Sequence, residues 1–484
     1  MQLAAVLAPG RPATLAPLCV DLDGTLVKSD TLVDSLFVLL RTSPSKALAL
    51  PRKVLEGKAA FKAYVAGCVN LDVAHLPYNR AVLEYLQSEY AAGRSIYLAT
   101  GADVRLARRV ADHLGIFAGV VASDGTVNLT GNNKLDRLRR SLNSAEFDYI
   151  GNAGPDLPLL RHAAQSMVAN PTMRLRVAMR AGIVQPDRDL SDRAHPLRSF
   201  FQAIRIHQWS KNLLILFPLL LSHDLRGSRL LAALAAFFSF SLAASATYIL
   251  NDLLDIEADR RHRRKRQRPF ASGNLSATAG IGIALAFLLL AAVGTRFVPV
   301  EFTGWLLLYL ATTVAYTAWI KRIALVDVIV LSGLYTLRLL AGSAATHTPI
   351  SQWLAGFSIF LFLSLSFVKR FAELENLRAI AMQPRNGRGY LLSDAEQLRT
   401  FGTACAYASV VIFAIYISGR DVTALYHHAG RLWCVVPLMI LWLSRVWLLA
   451  SRAELNEDPV VFAMTDRMSL LTGAATLAIV LLAV

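Results

Sequence analysis

The sequence predicts an α/β domain followed by an all-α bundle of nine membrane-spanning helices. Hydrophobic residues make up 55% of the 484 residues and charged residues only 17%, which is typical of membrane proteins. Residues 1–170 nevertheless have ordinary polar content, whereas long apolar runs recur from about Lys211 onward. We therefore expect the α/β domain at residues 1–170, a linker with an interfacial amphipathic helix at 171–208, and a membrane domain at 209–484.

The strands of the α/β domain are indicated by short apolar runs that lead into polar residues. Residues 15–20 lead into Asp21-Leu22-Asp23-Gly24-Thr25, residues 96–99 into Thr100-Gly101, and residues 147–150 into Gly151-Asn152-Ala153-Gly154-Pro155-Asp156. Open α/β sheets bind ligands at the carboxyl ends of their strands, so we expect these polar groups to meet. Residues from about 32 to 90 have mostly helical patterns and predict a small cap over that edge.

These motifs resemble, in order and spacing, those of haloacid dehalogenase (HAD)-like phosphatases. The resemblance implies that Asp21 is the nucleophile, that Asp23 is the acid/base, that Thr100 binds the transferring phosphoryl group and that Lys134 neutralises it. It also implies Mg²⁺ ligands, namely Asp21, Asp23, Asn152 and Asp156. Many family members have a carboxylate where this chain has Asn152. A domain kept only for binding or folding is therefore the alternative to a working phosphatase.

The membrane helices are predicted from nine apolar segments of roughly 17 to 25 residues. Their centres lie near Leu214, Phe238, Leu285, Leu308, Leu331, Phe360, Val411, Leu438 and Leu477. The loops after the even-numbered segments are rich in arginine and lysine, whereas residues 345–352, after an odd one, have none. By the positive-inside rule, the N-terminal domain is expected in the cytoplasm and the bundle in the inner (cell) membrane.

The formal net charge of +16 indicates an anionic partner. The basic residues cluster beside apolar segments and the chain has no nucleic-acid-binding motif, so we do not expect a nucleic-acid partner. Anionic membrane lipids and phosphorylated substrates explain the charge better. The sequence leaves the oligomeric state open.

Residues 251–269, which read NDLLDIEADRRHRRKRQRP, combine a carboxylate cluster with a cationic run. On one helix the side chains of this cluster gather near one face; they are Asn251, Asp252, Asp255 and Asp259. That face could hold Mg²⁺, and Lys265 and Arg268 could neutralise phosphate charge. A solvated cytoplasmic loop would explain the arginines but not the regular acidic spacing. The expected ligand is a metal-bound diphosphate at a membrane surface.

The membrane domain resembles the UbiA superfamily of intramembrane transferases in this cluster, in Arg268-Pro269 and in its helical segments. Members of that family bind a prenyl diphosphate through Mg²⁺ and two aspartate-rich motifs. The second motif is missing here, because residues 369–375 read KRFAELE. The chain is more similar to the decaprenyl-phosphate phosphoribosyltransferase branch, in residues 207–212 (HQWSKN), 321–322 (KR) with Asp327, 338–342 (RLLAG) and 369–373 (KRFAE).

This resemblance implies transfer of a phosphoribosyl group from phosphoribosyl diphosphate to a polyprenyl phosphate, after which the HAD-like domain would remove the product's 5-phosphate. Asp255 is then a catalytic residue of the metal–diphosphate site. Cations suited to the remaining phosphates are Lys211, Lys321, Arg322, Lys369 and Arg370. Arg338 lies within an apolar segment, where a charge is costly and by default functional.

Other readings stay open for these residues and for the whole chain. Lys321 and Arg322 are also explained as a positive-inside pair, and Arg370 as a partner of Glu373. One rival function is a UbiA-type prenyltransferase acting on an aromatic or other small acceptor. A rival from another class is a transporter or lipid-binding membrane protein.

Overall fold

The computed structural model describes residues 16–142, 146–223, 226–379, 389–455 and 459–484. The chain divides into two compact units. The first contains Met1–Ile204 and Ile249–Gly282, and the second contains Arg205–Tyr248 and Ile283–Val484. The loop with the carboxylate cluster therefore belongs to the first unit. Part of the predicted basic loop after residue 369, residues 380–388, lies outside the described residues.

The first unit is built on a six-stranded, wholly parallel sheet with strand order β3-β2-β1-β4-β5-β6. The strands are β1 (Leu18–Val20), β2 (Ile96–Asp103), β3 (Gly119–Ser123), β4 (Asp148–Gly151), β5 (Ser166–Val168) and β6 (Arg188–Asp189). The predicted α/β class and the three predicted strand positions agree with this sheet. The sheet continues beyond the predicted domain end at residue 170, because β6 pairs with β5.

In the described part of this unit, ten α-helices connect or follow these strands. They are α1 (Thr31–Thr42), α2 (Pro44–Ala47), α3 (Leu50–Leu55), α4 (Lys58–Cys68), α5 (Arg80–Ala91), α6 (Val104–Leu114), α7 (Asn132–Leu142), α8 (Leu157–His162), α9 (Met173–Arg180) and α10 (Pro196–Ala203). The first five follow β1 directly, so the segment predicted as a cap is helical. α1 begins where the Asp30 side chain accepts hydrogen bonds from the backbone N–H groups of Leu32 and Val33.

The core of the first unit follows from alternation along the central strand. Leu18 and Val20 belong to one buried hydrophobic cluster, whereas Cys19, between them, belongs to another. Successive residues of a strand point to opposite faces, so both faces of β1 are covered. Asp21 follows this fully buried strand and is itself only 6% exposed. The core thus fixes a carboxylate at the carboxyl edge of the sheet.

The second unit is helical. Its helices are α11 (Phe217–Leu221), most of α12 (Gly227–Leu254), most of α14 (Ala277–Gly294), α15 (Val300–Ala318), α16 (Val326–Thr346), α17 (Gln352–Ala379), α18 (Ala395–Ile417), α19 (Arg420–Thr423), α20 (Val435–Ser451), α21 (Pro459–Thr465) and α22 (Arg467–Ala483). The end of α12, the short helix α13 (Ile256–Arg261) and the start of α14 belong to the first unit.

The structure does not confirm the predicted count of nine spans. Within the described residues, six helical segments are long and apolar enough to cross a membrane: Gly227–Leu254, Ala277–Phe297, Val326–Thr346, Gln352–Arg378, Leu392–Ile417 and Ala429–Ser451. The count becomes seven if α21 and α22, which meet at 78°, form one broken span.

Two of the predicted segments account for the remaining difference. Near Leu214 the apolar run folds as a 3₁₀ stretch, Ile206–Leu216, followed by the five-residue α11. Neither piece reaches the length that a membrane-spanning helix needs. Near Leu308, α15 is 19 residues long, but Glu301 and several threonines lower its mean hydropathy.

Candidate functional site

A buried ionic cluster lies where β1 and β4 end. The Lys134 ammonium contacts Asp21 Oδ1 at 2.9 Å, Asp156 Oδ1 at 3.1 Å and the Tyr149 hydroxyl at 2.9 Å. Burial disfavours the charged form of Lys134, but Asp156 and Asp21 outweigh it and raise its pKa above the usual value. Three residues that the sequence assigned to one site, Asp21, Lys134 and Asp156, are therefore brought together around a fixed positive charge.

Asp23 is placed to hold a proton. Its Oδ1 accepts a hydrogen bond of 2.7 Å from the backbone N–H of Thr31, the first residue of α1. Burial, followed by the charges of Asp30 and Asp21, raises the pKa of Asp23 to about 8. Burial also raises the pKa of Asp21, against the opposing charge of Lys134, to about 6. The two carboxyl groups thus differ in the direction that an acid and a nucleophile require at neutral pH.

Thr100 lies within β2 and is fully buried, and its hydroxyl accepts a hydrogen bond of 3.0 Å from the backbone N–H of Ala102. Beside it, Lys62 of α4 reaches the carbonyl of Gly101 at 2.6 Å. Lys62 also lines, with Asp23, a small cavity of about 60 Å³. The helical segment predicted as a cap therefore places a cation, Lys62, near the candidate site, and the sequence did not indicate this residue.

Asn152 offers a ligand atom suited to a metal ion. Its side chain is 5% exposed, and its buried Oδ1 has no hydrogen-bond partner among the residues that the structure describes. The Asn152 amide lies so close to Gly24 that a Cβ at Gly24 would meet its Nδ2 at 2.0 Å, and Gly24 has a φ of +80°. An amide oxygen and the Asp21 carboxylate are hard donors of the kind that Mg²⁺ prefers. These residues therefore fit a magnesium ion.

Asp156 is less available to a metal than the sequence suggested. Its Oδ1 receives Lys134 and Tyr149, and its Oδ2 receives the backbone N–H groups of Asn152 and Ala153, each at 3.1 Å. These contacts make it a partner that orients Lys134. In the part of the chain that the structure describes, no group of three or more His, Cys, Asp or Glu side chains has a metal-binding arrangement.

Asn152 gives a matched pair of substitutions. Asn152→Ala is expected to raise the half-saturating Mg²⁺ concentration of the phosphatase reaction by about 10- to 100-fold, because a ligand atom is lost. Asn152→Asp should lower it, because a charge is added at the same position. Hydrolysis of p-nitrophenyl phosphate against Mg²⁺ and the Mg²⁺-dependent rise in Tm both measure the effect. Equal Mg²⁺ dependence in the two variants would contradict the assignment.

The sequence predicted one continuous helix for the carboxylate cluster of residues 251–259, but the structure divides this segment between two helices. α12 ends at Leu254, and Asp255 (φ −94°, ψ 9°) separates it from α13. Backbone hydrogen bonds of the i to i+4 type still join Asp255 to Asn251 and Asp259 to Asp255, at 2.9 and 2.8 Å. The side chains therefore stay near one another across a bend rather than along a straight face.

Arg268 draws two members of the cluster together. Its Nη1 contacts Asp252 Oδ1 at 3.1 Å and Asp259 Oδ2 at 2.6 Å, and both carboxylates are buried. Burial raises the pKa of Asp259 even though Arg268 opposes the shift, so its negative charge is incompletely compensated. A bound cation would suit such a pair. Asn251 is half-buried nearby, and Lys265 lies exposed in a short 3₁₀ turn.

In the second unit, Lys211 and Arg338 converge on one aromatic ring. Lys211 Nζ lies 5.6 Å and the Arg338 guanidinium 5.5 Å from the centre of the Tyr335 ring. Arg338 also donates to Asn212 Oδ1 at 2.8 Å. Gly342 allows this approach, because a Cβ there would lie 2.0 Å from the carbonyl oxygen of Ile215. Both cations are buried within the helical unit, where charges are by default functional, and an anionic ligand group would suit them.

Arg370 has a different environment from that expected of a phosphate ligand. It is 2% exposed, and it contacts Asp327 at 2.6 Å, Glu373 at 2.8 Å and the Tyr316 hydroxyl at 3.0 Å. Two carboxylates balance its charge, which agrees with the alternative that it is a partner of Glu373. Of the other predicted cations, Lys369 is half-buried on the same helix. Lys321 and Arg322 lie in a 3₁₀ turn after α15.

Several residues of these sites were not singled out from the sequence. Tyr149 and Lys62 support the phosphatase-type site, and Tyr335 and Asn212 support Arg338. Tyr149 could have been noticed as a hydroxyl inside an apolar strand, and Asn212 stands in the quoted HQWSKN motif. Lys62 carries no such signal, because it is one basic residue on a helix.

Comparison with known proteins gives related chains over most of the sequence. An uncharacterized protein, y4nM, from Sinorhizobium fredii is 37% identical over 464 residues, which cover 95% of this chain and 89% of the relative. Decaprenyl-phosphate phosphoribosyltransferase from Mycobacterium tuberculosis is 31% identical over 286 residues, which cover 58% of this chain and 92% of the relative.

The helical part also has a solved structural neighbour. The structure of a UbiA homologue from Archaeoglobus fulgidus matches 58% of this chain and 98% of its own, with 17% identity and a TM-score of 0.46. Residues 213–472, more than half of the chain, match the UbiA prenyltransferase family. The chain therefore belongs to the UbiA prenyltransferase family and is a multi-pass membrane enzyme.

Proposed function

We propose that the protein is a Mg²⁺-dependent transferase that moves a phosphoribosyl group from phosphoribosyl diphosphate to a polyprenyl phosphate. We also propose that its HAD-like unit then removes the 5-phosphate of the lipid product. The observation that carries the proposal is the presence of two kinds of candidate site in one chain. A phosphomonoesterase-type cluster, Asp21 with Lys134 and Asp23, accompanies a region related to an enzyme named for transferring phosphoribosyl, a group that contains a phosphomonoester.

The phosphatase step uses the difference between the two buried carboxyl groups. Asp21 attacks phosphorus, and Lys134 offsets the charge on the phosphoryl oxygens. The bond from phosphorus to the ribose 5-oxygen breaks, and Asp23 gives that oxygen its proton. Water then hydrolyses the aspartyl phosphate with Asp23 as base. A magnesium ion held by Asp21 and Asn152 would supply charge neutralisation at the phosphoryl group.

The transferase step needs no general base. A phosphate oxygen of the lipid is already ionised and bonds to C1 of the ribose as the bond from C1 to the diphosphate breaks. The proposal gives Asp252, Asp255 and Asp259 the role of holding magnesium together with oxygens of the leaving diphosphate, because the described side chains alone do not form a metal-binding group of three. Lys211 and Arg338 are proposed to bind a further phosphate, because their described contacts place both against Tyr335. Arg370 is not assigned this role.

The proposal places the first unit in the cytoplasm and the helices in the inner membrane. The charge-rich loop around residues 260–268 and the α/β sheet belong to the same compact unit, so they are expected on the same side of the membrane. Arginine-rich loops stay on the cytoplasmic side. This argument holds for six, seven or nine spans.

The test is a product assay with the full chain. Purified protein is given phosphoribosyl diphosphate, polyprenyl phosphate and Mg²⁺, and the lipid products are resolved by mass. A polyprenyl-phosphoryl ribose without its 5-phosphate is expected. Absence of any ribosylated lipid would refute the transferase assignment. Formation of a prenylated aromatic product from a prenyl diphosphate would favour the rival prenyltransferase.

The pKa of Asp23 predicts a pH profile for the phosphatase step. A group whose pKa is raised to about 8 is protonated below that pH and loses its proton as the pH rises through it. The kcat/KM for an alkyl phosphate should therefore fall above about pH 8. p-Nitrophenyl phosphate is the control, because its leaving group needs no proton. Its kcat/KM should therefore not decrease in this pH range. The same decrease with both substrates would contradict the role of Asp23.

A further inference from the structure

The loop that carries the carboxylate cluster is tied to α1 by a buried ion pair. Arg260, next to Asp259, contacts Asp34 of α1 at 2.8 Å, and their side chains are 3% and 0% exposed. Arg260 also donates to the Ser29 hydroxyl at 3.0 Å, and Ser29 donates to Asp34 at 2.6 Å. Breaking such a pair leaves a buried charge uncompensated. The position of α13 is therefore determined by the helix that follows the phosphatase-type motif.

Further contacts hold the same loop along its length. Arg261 contacts Asp72 at 2.7 Å, and the Asp72 backbone N–H donates to Glu257 at 3.3 Å. Gly273, with a φ of +70°, lies against Lys28 so closely that a Cβ would meet the Lys28 Cβ at 2.6 Å. These contacts extend from Glu257, within the acidic segment, to Gly273 beyond it, so the loop packs as part of the first unit.

One contact of α1 reaches the cluster itself. Arg41, in the last turn of α1, contacts Asp255 Oδ1 at 3.0 Å. Its side chain is 40% exposed, and an ion pair of that exposure adds little to folding stability. A role in ligand binding explains the contact better, because carboxylates that bind metals are themselves held by neighbouring hydrogen-bond donors.

We propose that Arg41, contributed by the α/β part of the chain, is a positioning residue for Asp255 in the binding of a magnesium-bound diphosphate. The proposal rests on the transferase function proposed above. α1 would thus serve both activities. Its first residue, Thr31, holds the carboxylate of Asp23, and Asp34 in the same first turn holds Arg260. Arg41 in its last turn supports Asp255.

The test compares binding and turnover in matched arginine variants of the full chain. Arg41→Ala is expected to raise the Kd for magnesium diphosphate, measured by calorimetry, and the KM for phosphoribosyl diphosphate by about tenfold. Arg41→Lys should recover much of the affinity. The phosphatase rate and Tm should stay at the wild-type values. Arg52→Ala is the control, because Arg52 is 85% exposed and pairs with Glu56 of the same helical region.

The outcomes separate this inference from the proposed function. If the wild type makes no ribosylated lipid, the transferase function itself fails. If the wild type is active and Asp255→Asn is not, but Arg41→Ala has wild-type Kd and KM, the role of Arg41 is refuted. Equal loss of both activities with a lower Tm would mark Arg41 as structural and also overturn the inference.

Discussion

Substitution of Asp252 by asparagine is expected to lower the transferase rate by about 100-fold or more. Asp252 is 3% exposed and shares the Arg268 guanidinium with Asp259. Under the proposed function, removing its charge weakens the binding of the magnesium ion that would stabilise the leaving diphosphate. Stabilisation of that kind contributes several kcal/mol, and each 1.4 kcal/mol or so changes the rate about tenfold.

The change is chosen to preserve the fold. Asparagine has the shape of aspartate, and Arg268 keeps its shorter contact with Asp259. Phosphatase activity and Tm should therefore stay close to wild type, while ribosylated lipid formation falls. Glu301→Gln is the matched control, because Glu301 is an exposed acid at the start of α15. If the transferase rate of Asp252→Asn is within twofold of the wild-type rate, the carboxylate cluster does not take part in the reaction.

The α/β fold and its site were predictable because local pattern and topology agree there. Polar residues after buried strands meet in a parallel sheet wherever those strands are neighbours, and β2, β1 and β4 are neighbours. Asp21 and Asp156 consequently lie close together, and Lys134 of α7 contacts both. The hydrogen-bond partners of Asn152 and Asp156 were not predictable, because the sequence indicates both residues equally as metal ligands. The structure shows that, among the described residues, the Asn152 Oδ1 has no hydrogen-bond partner, whereas both carboxylate oxygens of Asp156 accept hydrogen bonds.

The helical part was less predictable, because apolar composition does not specify helix length or continuity. The run near Leu214 is apolar enough for a span, yet it folds as a 3₁₀ stretch and a short helix containing Pro218. The i, i+4 spacing through Asp255 suggested an unbroken helix that the backbone interrupts. The sequence predicted Arg370 as a phosphate ligand because its partner Asp327 lies 43 residues earlier in the chain, too far for a local pattern to indicate the contact.

Asp21→Asn is expected to abolish removal of the 5-phosphate, lowering the phosphatase rate by about 10³-fold or more, while transfer continues. The amide cannot attack phosphorus, so no aspartyl phosphate forms. The fold should persist, because Lys134 keeps its contacts with Asp156 and the Tyr149 hydroxyl. The lipid product should then accumulate with its phosphate, heavier by one phosphoryl group than the wild-type product.

This shift in mass connects the two activities more directly than either rate alone. If the phosphatase acts on an unrelated substrate, the lipid products of Asp21→Asn and wild type will be identical, even though p-nitrophenyl phosphate hydrolysis is lost. Asp136→Asn is the matched control, because Asp136 is an exposed acid two residues from Lys134 on α7. An accumulating phosphorylated lipid in Asp21→Asn, and a dephosphorylated one in Asp136→Asn, would show that the transferase product is the phosphatase substrate.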